Sequence, residues 1–525
     1  MQKVVIRPRY PLADFGVLLL LGTIIYGLVA FGREWKSSFH PATDISLAFT
    51  SLPYYTLFSA MRGIAAYMMS LIFTLVFGYW AANSKRAERI LLPVLDILQS
   101  IPVLGFLPGL VLALIALFPR TNTGLELSSV IMIFTGQVWN MTFSFYSSLK
   151  SVPSDFNEVS RIIGLSPWQK LWRVEFPFSA MNLVWNSLLS MSGGWFFLSV
   201  CEAFTLGKQE YRLPGIGAYM AVAINRGDTG AMCAGILSMA LLIVLMDFFI
   251  WRPVLAWAHR FRLEEVPGFS NVEPFVRQLV RESQLLRWSY VWYNRRMMHQ
   301  RLRAAELREV KPMPPWLRTL RAWYQRISPR AVRLAGTVLF AVFLFLAGVG
   351  SIQLVHVLLS LSAAQWKLIW GSTALTFVRI LACLGISTLW TVPVGVWIGT
   401  SQRRIRIAQP IIQVLASFPA PMLYPIALAV FFSLGIRFGI GSMFLMLLGV
   451  QWYVLFNVLA GVMKVPNELK YATMLMGISD WEVWKKLYLP SIFPSLVTGW
   501  VTAAGGAWNA SIVAEYISYQ GKTLT

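Results

Sequence analysis

Arg62 and Arg379 are the only basic residues inside the long apolar stretches of this chain. A charge at such depth is costly and often draws an anion, which makes both candidate pathway residues. Packing, or snorkelling of the long side chain toward a polar boundary, is the reading we favour. Paired prolines form a second set: Ser100-Ile101-Pro102 with Pro108, and Ser417-Phe418-Pro419 with Pro421 and Pro425. Prolines in an apolar helix free backbone carbonyls, which are tolerated only where protein or a water-filled cavity satisfies them. Matched copies of such a break mark a midplane pathway, against the alternative of a packing kink. Trp195 and Trp508 are candidate pathway linings, although helix packing is the commoner use of such aromatics; seven residues on, Glu202 and Glu515 sit at helix ends within reach of water. No Walker-type glycine loop, zinc-ligand spacing or nucleophile–base pair occurs, so no catalysis, cofactor or metal is expected in the chain itself.

The elements that hold these residues follow from composition. Of 525 residues, 57% are hydrophobic and only 13% charged, and mean hydropathy is +0.60. Soluble domains carry about 25% charged residues, so this is a polytopic membrane protein. Cys201, Cys233 and Cys383 all lie in apolar stretches and read as small buried hydrophobes. Apolar runs predict eleven membrane helices, near 15–32, 57–82, 91–118, 127–149, 177–204, 231–251, 334–360, 372–400, 408–434, 442–463 and 491–516. With the N-terminus in the cytoplasm, the cytoplasmic segments hold 34 of the 45 Lys and Arg, the positive-inside pattern. Segment 252–333 alone carries a net charge of +11. It reads as a cytoplasmic linker lying against anionic headgroups rather than a nucleic-acid site.

The chain is a tandem repeat. With a shift of 313, Gly136, Trp139, Pro153, Gly164, Ser166, Trp168, Pro177, Trp195 and Glu202 fall on Gly449, Trp452, Pro466, Gly477, Ser479, Trp481, Pro490, Trp508 and Glu515. Upstream the shift is 317, pairing Arg62, Gly78, Ser100 and Pro102 with Arg379, Gly395, Ser417 and Pro419; the change falls in the loop near Pro119–Glu126. Both halves start on one side, so the repeats are parallel. The predicted fold is all-α: two repeats of about six transmembrane helices. Its expected parts are a first half over 1–251, a basic linker over 252–333 and a second half over 334–525.

Each half holds one loop of about 27 residues, at 150–176 and 464–490, that reads as a helix–turn–helix. Gly164 suits the left-handed cap that ends a helix. Ser166-Pro167-Trp168-Gln169 then starts another, with Ser166 as N-cap and Gln169 closing a capping box. Gly477 and Ser479-Asp480-Trp481-Glu482 repeat the device, and Pro177 and Pro490 are expected to end the second helix of each loop. Two rigid helices at a fixed angle make a handle for another protein.

Glu158-Val159-Ser160, Gly164, Val174, Phe176 and Pro177 resemble the Glu-Ala-Ala…Gly…Ile-x-Leu-Pro loop of type I ABC importer permeases. The second copy, Tyr471-Ala472-Thr473, Gly477, Leu487, Leu489 and Pro490, departs at Tyr471, where the family has an acidic residue. Trp508-Asn509-Ala510, Ile512–Glu515, Leu213–Gly217 and Asp247 look most like the nitrate/sulfonate/taurine branch. The resemblance covers about 60–251 and 377–525. It implies a permease with both halves fused, set in a bacterial or archaeal inner membrane. Two copies of an ABC ATPase, carrying the ATP and Mg, would dock under the loops. The ATPase-coupling residues are then Glu158, Gly164, Ser166, Pro177, Tyr471, Gly477, Ser479 and Pro490. A solute-binding protein would deliver a small anion such as nitrate, sulfonate/taurine or bicarbonate. A non-anionic metabolite is an alternative substrate. A major-facilitator-type secondary transporter is the rival class, but 83–90 lacks that class's Gly/Asp/Arg-rich loop.

Under the 313 shift Thr525 aligns with Arg212, so a continuation of the working protein corresponding to 213–251 is expected. The loops should also differ in coupling, because Glu158 can accept charge-assisted hydrogen bonds and Tyr471 offers only a hydroxyl and a ring. Glu158→Ala is expected to reduce stimulation of the partner ATPase more than Tyr471→Ala. Equal losses in an ATPase assay of the assembled complex would reject the difference.

Overall fold

The computed structural model describes residues 11–261, 358–515, 517–519 and 522–524, with scattered positions between 292 and 356. The basic linker beyond residue 261, and most of the predicted span 334–360, lie outside the described residues. The chain divides into two compact units, 1–14 with 280–378, and 15–279 with 379–525. The second unit carries most of both repeats and holds the contacts described below.

Among the described residues, seven helices are long and apolar enough to cross a membrane: Asp14–Lys36, Phe49–Asn83, Pro167–Cys201, Thr229–Phe261, Ala363–Gly399, Phe438–Met463 and Asp480–Ala514. The bent pair Arg403–Ser417 and Ala420–Ser433 makes an eighth. Two of the eleven predicted spans take another form. Stretch 91–118 divides into α4 (Lys85–Ser100) and α5 (Leu107–Leu117). Stretch 127–149 lies in α6 (Thr123–Lys150), whose 28 residues suffice to cross but include Glu126, Gln137, Asn140 and several Ser and Thr.

The remaining helices of the first half are α1 (Pro11–Lys36), α2 (Leu52–Phe73), α3 (Tyr79–Asn83), α7 (Ser154–Ile162), α8 (Pro167–Lys170), α9 (Phe176–Cys201), α10 (Ile216–Arg226), α11 (Thr229–Met246) and α12 (Arg252–Ala258). The second half has α13 (Ala363–Gly399), α14 (Gln402–Ser417), α15 (Tyr424–Ser433), α16 (Phe438–Met463), α17 (Asn467–Leu475), α18 (Asp480–Val483) and α19 (Leu489–Ala514). The described residues include two antiparallel hairpins, β1 (Ala203–Leu206) with β2 (Gln209–Arg212), and β3 (Ile517–Tyr519) with β4 (Lys522–Leu524). The 313 shift lays one on the other.

In each half the tightest packing joins repeat-related helices, α6 with α9 and α16 with α19. The first core gathers Leu125, Ile133, Leu188, Trp195, Ile216 and Tyr219; the second sets Val450, Val454 and Val458 against Ala503, Ala507 and Ala510. Small residues let helix backbones approach closely where lipid gives no hydrophobic drive between helices. The halves meet at a gap between Gly193 and its repeat equivalent Gly506, filled by Tyr453 of α16. A β-carbon on Gly506 would lie 3.1 Å from the Tyr453 ring, and one on Gly193 would lie 3.5 Å from its hydroxyl.

Gly395 sits where α13 presses on α16, so that a β-carbon there would lie 2.7 Å from Val458 Cγ1, whereas Gly385 on the same helix faces open space. Alanine gains about 1 kcal/mol of helix propensity over glycine, but overpacking a filled contact costs about 1–3 kcal/mol, and Val458 is stiff at χ1. Gly395→Ala is therefore expected to lower the melting temperature of the purified protein. Gly385→Ala should leave it equal or higher.

Candidate functional site

The first capped loop is built by local hydrogen bonds. α7 closes with Gly164 at φ +69°, its N–H donating to Arg161 O and that of Leu165 to Ser160 O, each 3.0 Å. This double bond is the Schellman stop, and a left-handed residue completes it. Ser166 then caps α8 with a full capping box to Gln169. The second loop repeats the stop, with Gly477 at φ +61°, and Gly477 and Ile478 N–H groups on Met474 and Thr473 carbonyls. Its box forms by half: Ser479 Oγ accepts from Glu482 N–H, while the Glu482 carboxylate pairs instead with Lys486 at 2.9 Å. An i, i+4 lysine competes for the Glu482 carboxylate, whereas the neutral Gln169 amide has no charge to draw Arg173 at the same spacing.

Pro177 and Pro490 do not end their helices, contrary to the sequence reading. α8 runs through a π-turn at Leu171–Glu175 into α9, and α18 through one at Trp484–Tyr488 into α19. A proline lacks the N–H and its ring strikes the carbonyl four residues back; widening the preceding turn by one residue relieves both, and each helix continues. A third π-turn, Asp247–Trp251, likewise precedes Pro253.

Both loops expose matched apolar side chains. Phe156, Ile162, Ile163 and Trp168 stand out from the first, and their repeat equivalents Leu469, Leu475, Met476 and Trp481 from the second, with Ile162 84% and Leu475 89% exposed. Glu158 and Tyr471 lie exposed on the same short helices, and burial holds the neighbouring Lys470 ammonium below its ordinary pKa.

The paired prolines break their helices outright. α4 stops at Ser100, Pro102 leads a 3₁₀ turn at Val103–Gly105, and α5 follows. In the second half α14 stops at Ser417, Pro419 precedes the turn Ala420–Leu423, and the chain bends by 82°. The predicted single kinked span is thus two short helices in each half. Each break faces a long helix of the other half, α19 for the first and its repeat equivalent α9 for the second. Asn509 Oδ1 on α19 accepts the Val103 N–H at 2.7 Å, and Ser192 Oγ on α9 lies 2.7 Å from Ser417 Oγ. A groove beside the second contact is lined by Trp185, Leu188, Leu189, Ser192, Gln413 and Phe456. Trp195 is buried in the first core and Trp508 packs on the second.

Arg62 packs inside the first half, as the favoured reading expected, and does not snorkel outward. It is wholly buried, forked onto Glu126 at 2.6 and 2.7 Å, and bonded at 2.8 Å to both Glu202 and the Pro214 carbonyl. The Phe31 and Phe58 rings flank it. Glu202, expected within reach of water, is equally buried. It accepts from Ser59 Oγ and from Gly217 N–H in the first turn of α10, both at 2.7 Å, where the helix dipole offsets the surplus negative charge. The Leu213–Gly217 segment is thereby explained as the strap around this cluster. Arg379 pairs with Glu515 at 2.7 Å, about one-fifth exposed on each side. The equivalent of Glu126 is Gly439, where a β-carbon would lie 3.3 Å from Arg379 Nη2.

Sequence reasoning missed Glu126, Ser192 and a further group at the loop end of α6. There Glu88 accepts from Tyr146 Oη at 2.6 Å and from Lys150 Nζ at 2.8 Å. The Lys150 bond, then that of Tyr146, holds the Glu88 carboxyl below its ordinary pKa. Among the described residues no three metal-ligating side chains converge.

The profile of binding-protein-dependent transport system inner membrane components matches this chain twice, at 74–250 and 391–524, more than half its length. The chain is 26% identical over 271 residues to the trimethylamine N-oxide transport system permease protein TmoV of Pelagibacter ubique (strain HTCC1062), 51% of this chain and 32% of that one. It is 26% identical over 259 residues to the glycine betaine/proline betaine transport system permease protein ProW of Escherichia coli (strain K12), 47% and 67%. With the taurine transport system permease protein TauC of Escherichia coli (strain K12) it shares 27% over 169 residues, 32% and 60%. The match thus spans about a third of TmoV's length and three-fifths or more of the other two.

Removing one partner of a buried ion pair costs about 3–5 kcal/mol, whereas a partly exposed pair contributes about 1 kcal/mol or less. Arg62→Met should therefore depress the melting temperature severely and Arg379→Met little. Equal shifts would disprove the difference between the two sites.

Proposed function

Because the chain belongs to the family of binding-protein-dependent transport system inner membrane components, with the family's segment present twice, we propose that it forms the translocation pathway of an ATP-driven importer. The observation that carries this reading is the pair of capped loops with matched apolar faces. Rigid, exposed apolar patches of this kind mark protein interaction sites. Two ATPase subunits, binding ATP and Mg, dock under the loops on the cytoplasmic side of the cell membrane. Their closure swings the loops, and the long helices rooted in them carry the motion to the breaks at Pro102 and Pro419. A solute-binding protein delivers the substrate from the opposite face.

The substrate is a small anion such as nitrate, taurine or another sulfonate, or bicarbonate, in keeping with the Trp508–Glu515 and Leu213–Gly217 resemblances. A second reading, a zwitterion carrying no net charge, is favoured by one observation: both arginines of the spans are paired with carboxylates, and the contacts at the breaks are neutral. ATP-dependent uptake of labelled taurine, nitrate and glycine betaine into proteoliposomes holding the assembled complex separates the two.

Truncating or charging a buried interface anchor costs about 2 kcal/mol or more, over tenfold in affinity. Ile162→Asp and Leu475→Asp are each expected to abolish copurification of the ATPase at an unchanged melting temperature. Full retention of the ATPase by both variants would overturn the proposal.

A further inference from the structure

The two capped loops hang from repeat-related helices that are fastened by different chemistry. In the first half Lys150, the last residue of α6, and Tyr146, one turn earlier, both bond to Glu88 in the first turn of α4. Four residues beyond Lys150, Ser154 opens α7 of the loop. In the other direction α4 runs from Glu88 to Ser100, where the chain breaks and Val103 meets Asn509. Glu88 therefore ties the loop end of α6 to the helix that ends at the break. Under the repeat shifts Glu88, Tyr146 and Lys150 become Ile405, Leu459 and Met463. Ile405 and Leu459 are each 7% exposed and belong to one apolar cluster with Ile398, Ile412 and Leu455. The same joint is charged in one half and apolar in the other.

We infer that Glu88 is a positioning residue that transmits displacement of the first capped loop to the first break through a salt-sensitive latch, whereas the second half transmits through a salt-insensitive apolar joint. The inference rests on the transport reading above. The charged joint is open to solvent ions, with the Lys150 and Glu88 side chains 39% and 28% exposed. The screening length shrinks from about 8 Å at physiological salt to about 3 Å at 1 M. Apolar contacts are not weakened by screening, and excluded salts strengthen them. Tyr146 and Lys150 lie on one face of α6, with the ammonium 5.8 Å from the phenol ring, so both donors reach one carboxylate without rearrangement.

The test moves the second half's residues into the first. Wild type, the triple variant Glu88→Ile/Tyr146→Leu/Lys150→Met, the variant Glu88→Lys and the exchange Glu88→Lys/Lys150→Glu are assembled with the ATPase in lipid nanodiscs and titrated with KCl. In wild type, rising salt should speed amide exchange in 85–100 but not in 402–417. It should also lower the ATPase rate of the complex by roughly two- to five-fold, the size of an exposed ion pair. The triple variant should show neither response; Glu88→Lys alone should resemble wild type at high salt, and the exchange should recover the low-salt rate. Should the triple variant misfold, the single change and its exchange partner decide the matter alone. Salt responses in the triple variant equal to those of wild type, or an unaltered Glu88→Lys, would overturn the latch. A complex that binds no ATPase refutes the transport reading instead, and exchange in 85–100 still judges the latch.

Discussion

A backbone N–H or C=O left unpaired within lipid costs several kcal/mol, and this constraint governs where the chain can depart from a helix. Five of its prolines show two ways of meeting it, while Pro93, Pro393, Pro410 and Pro494 lie inside their helices. Pro177, Pro253 and Pro490 each follow a π-turn by two residues, so the helix widens and runs on. Pro102 and Pro419 end the helix instead, and these ends lie against the opposite half, where Asn509 accepts the Val103 N–H and Ser192 meets Ser417. These two helix breaks thus lie at the seam between the halves.

The halves share these backbone devices but not their polar interiors. The Arg62 cluster of the first half meets a glycine in the second, at 439. The Thr74–Thr142 hydrogen bond becomes Thr391 and Leu455, and Gln137 becomes Val450. Lys170 and Glu175, ion-paired within the first loop, become Val483 and Tyr488. At these positions the first half makes directional polar bonds where the second half has mainly apolar side chains.

What could be read from sequence was what is local. Gly164, Ser166 and their repeats announce their caps because the bonds they make span six residues or fewer. Span positions followed from composition, yet the helix breaks did not, because a proline signals lost hydrogen bonds without saying whether a wider turn or a full stop repairs them. The Arg62 cluster stayed hidden for a different reason. Glu126 lies at the point where the repeat register changes and has no acidic counterpart, so comparing halves could not find it. A buried arginine demands a carboxylate at its own depth, and that demand was the available signal. The half-formed box at Ser479 depended on Lys486, a competitor outside the capping motif.

Tyr453 fills one gap between two equivalent glycines, and its own equivalent is Asn140. Two identical subunits related by a true twofold would bring two tyrosines to a space that admits one. Neither half could therefore reproduce this seam by pairing with a copy of itself. Two unlike halves supply what two identical ones could not: one ring, and room kept for it by an asparagine on the other side.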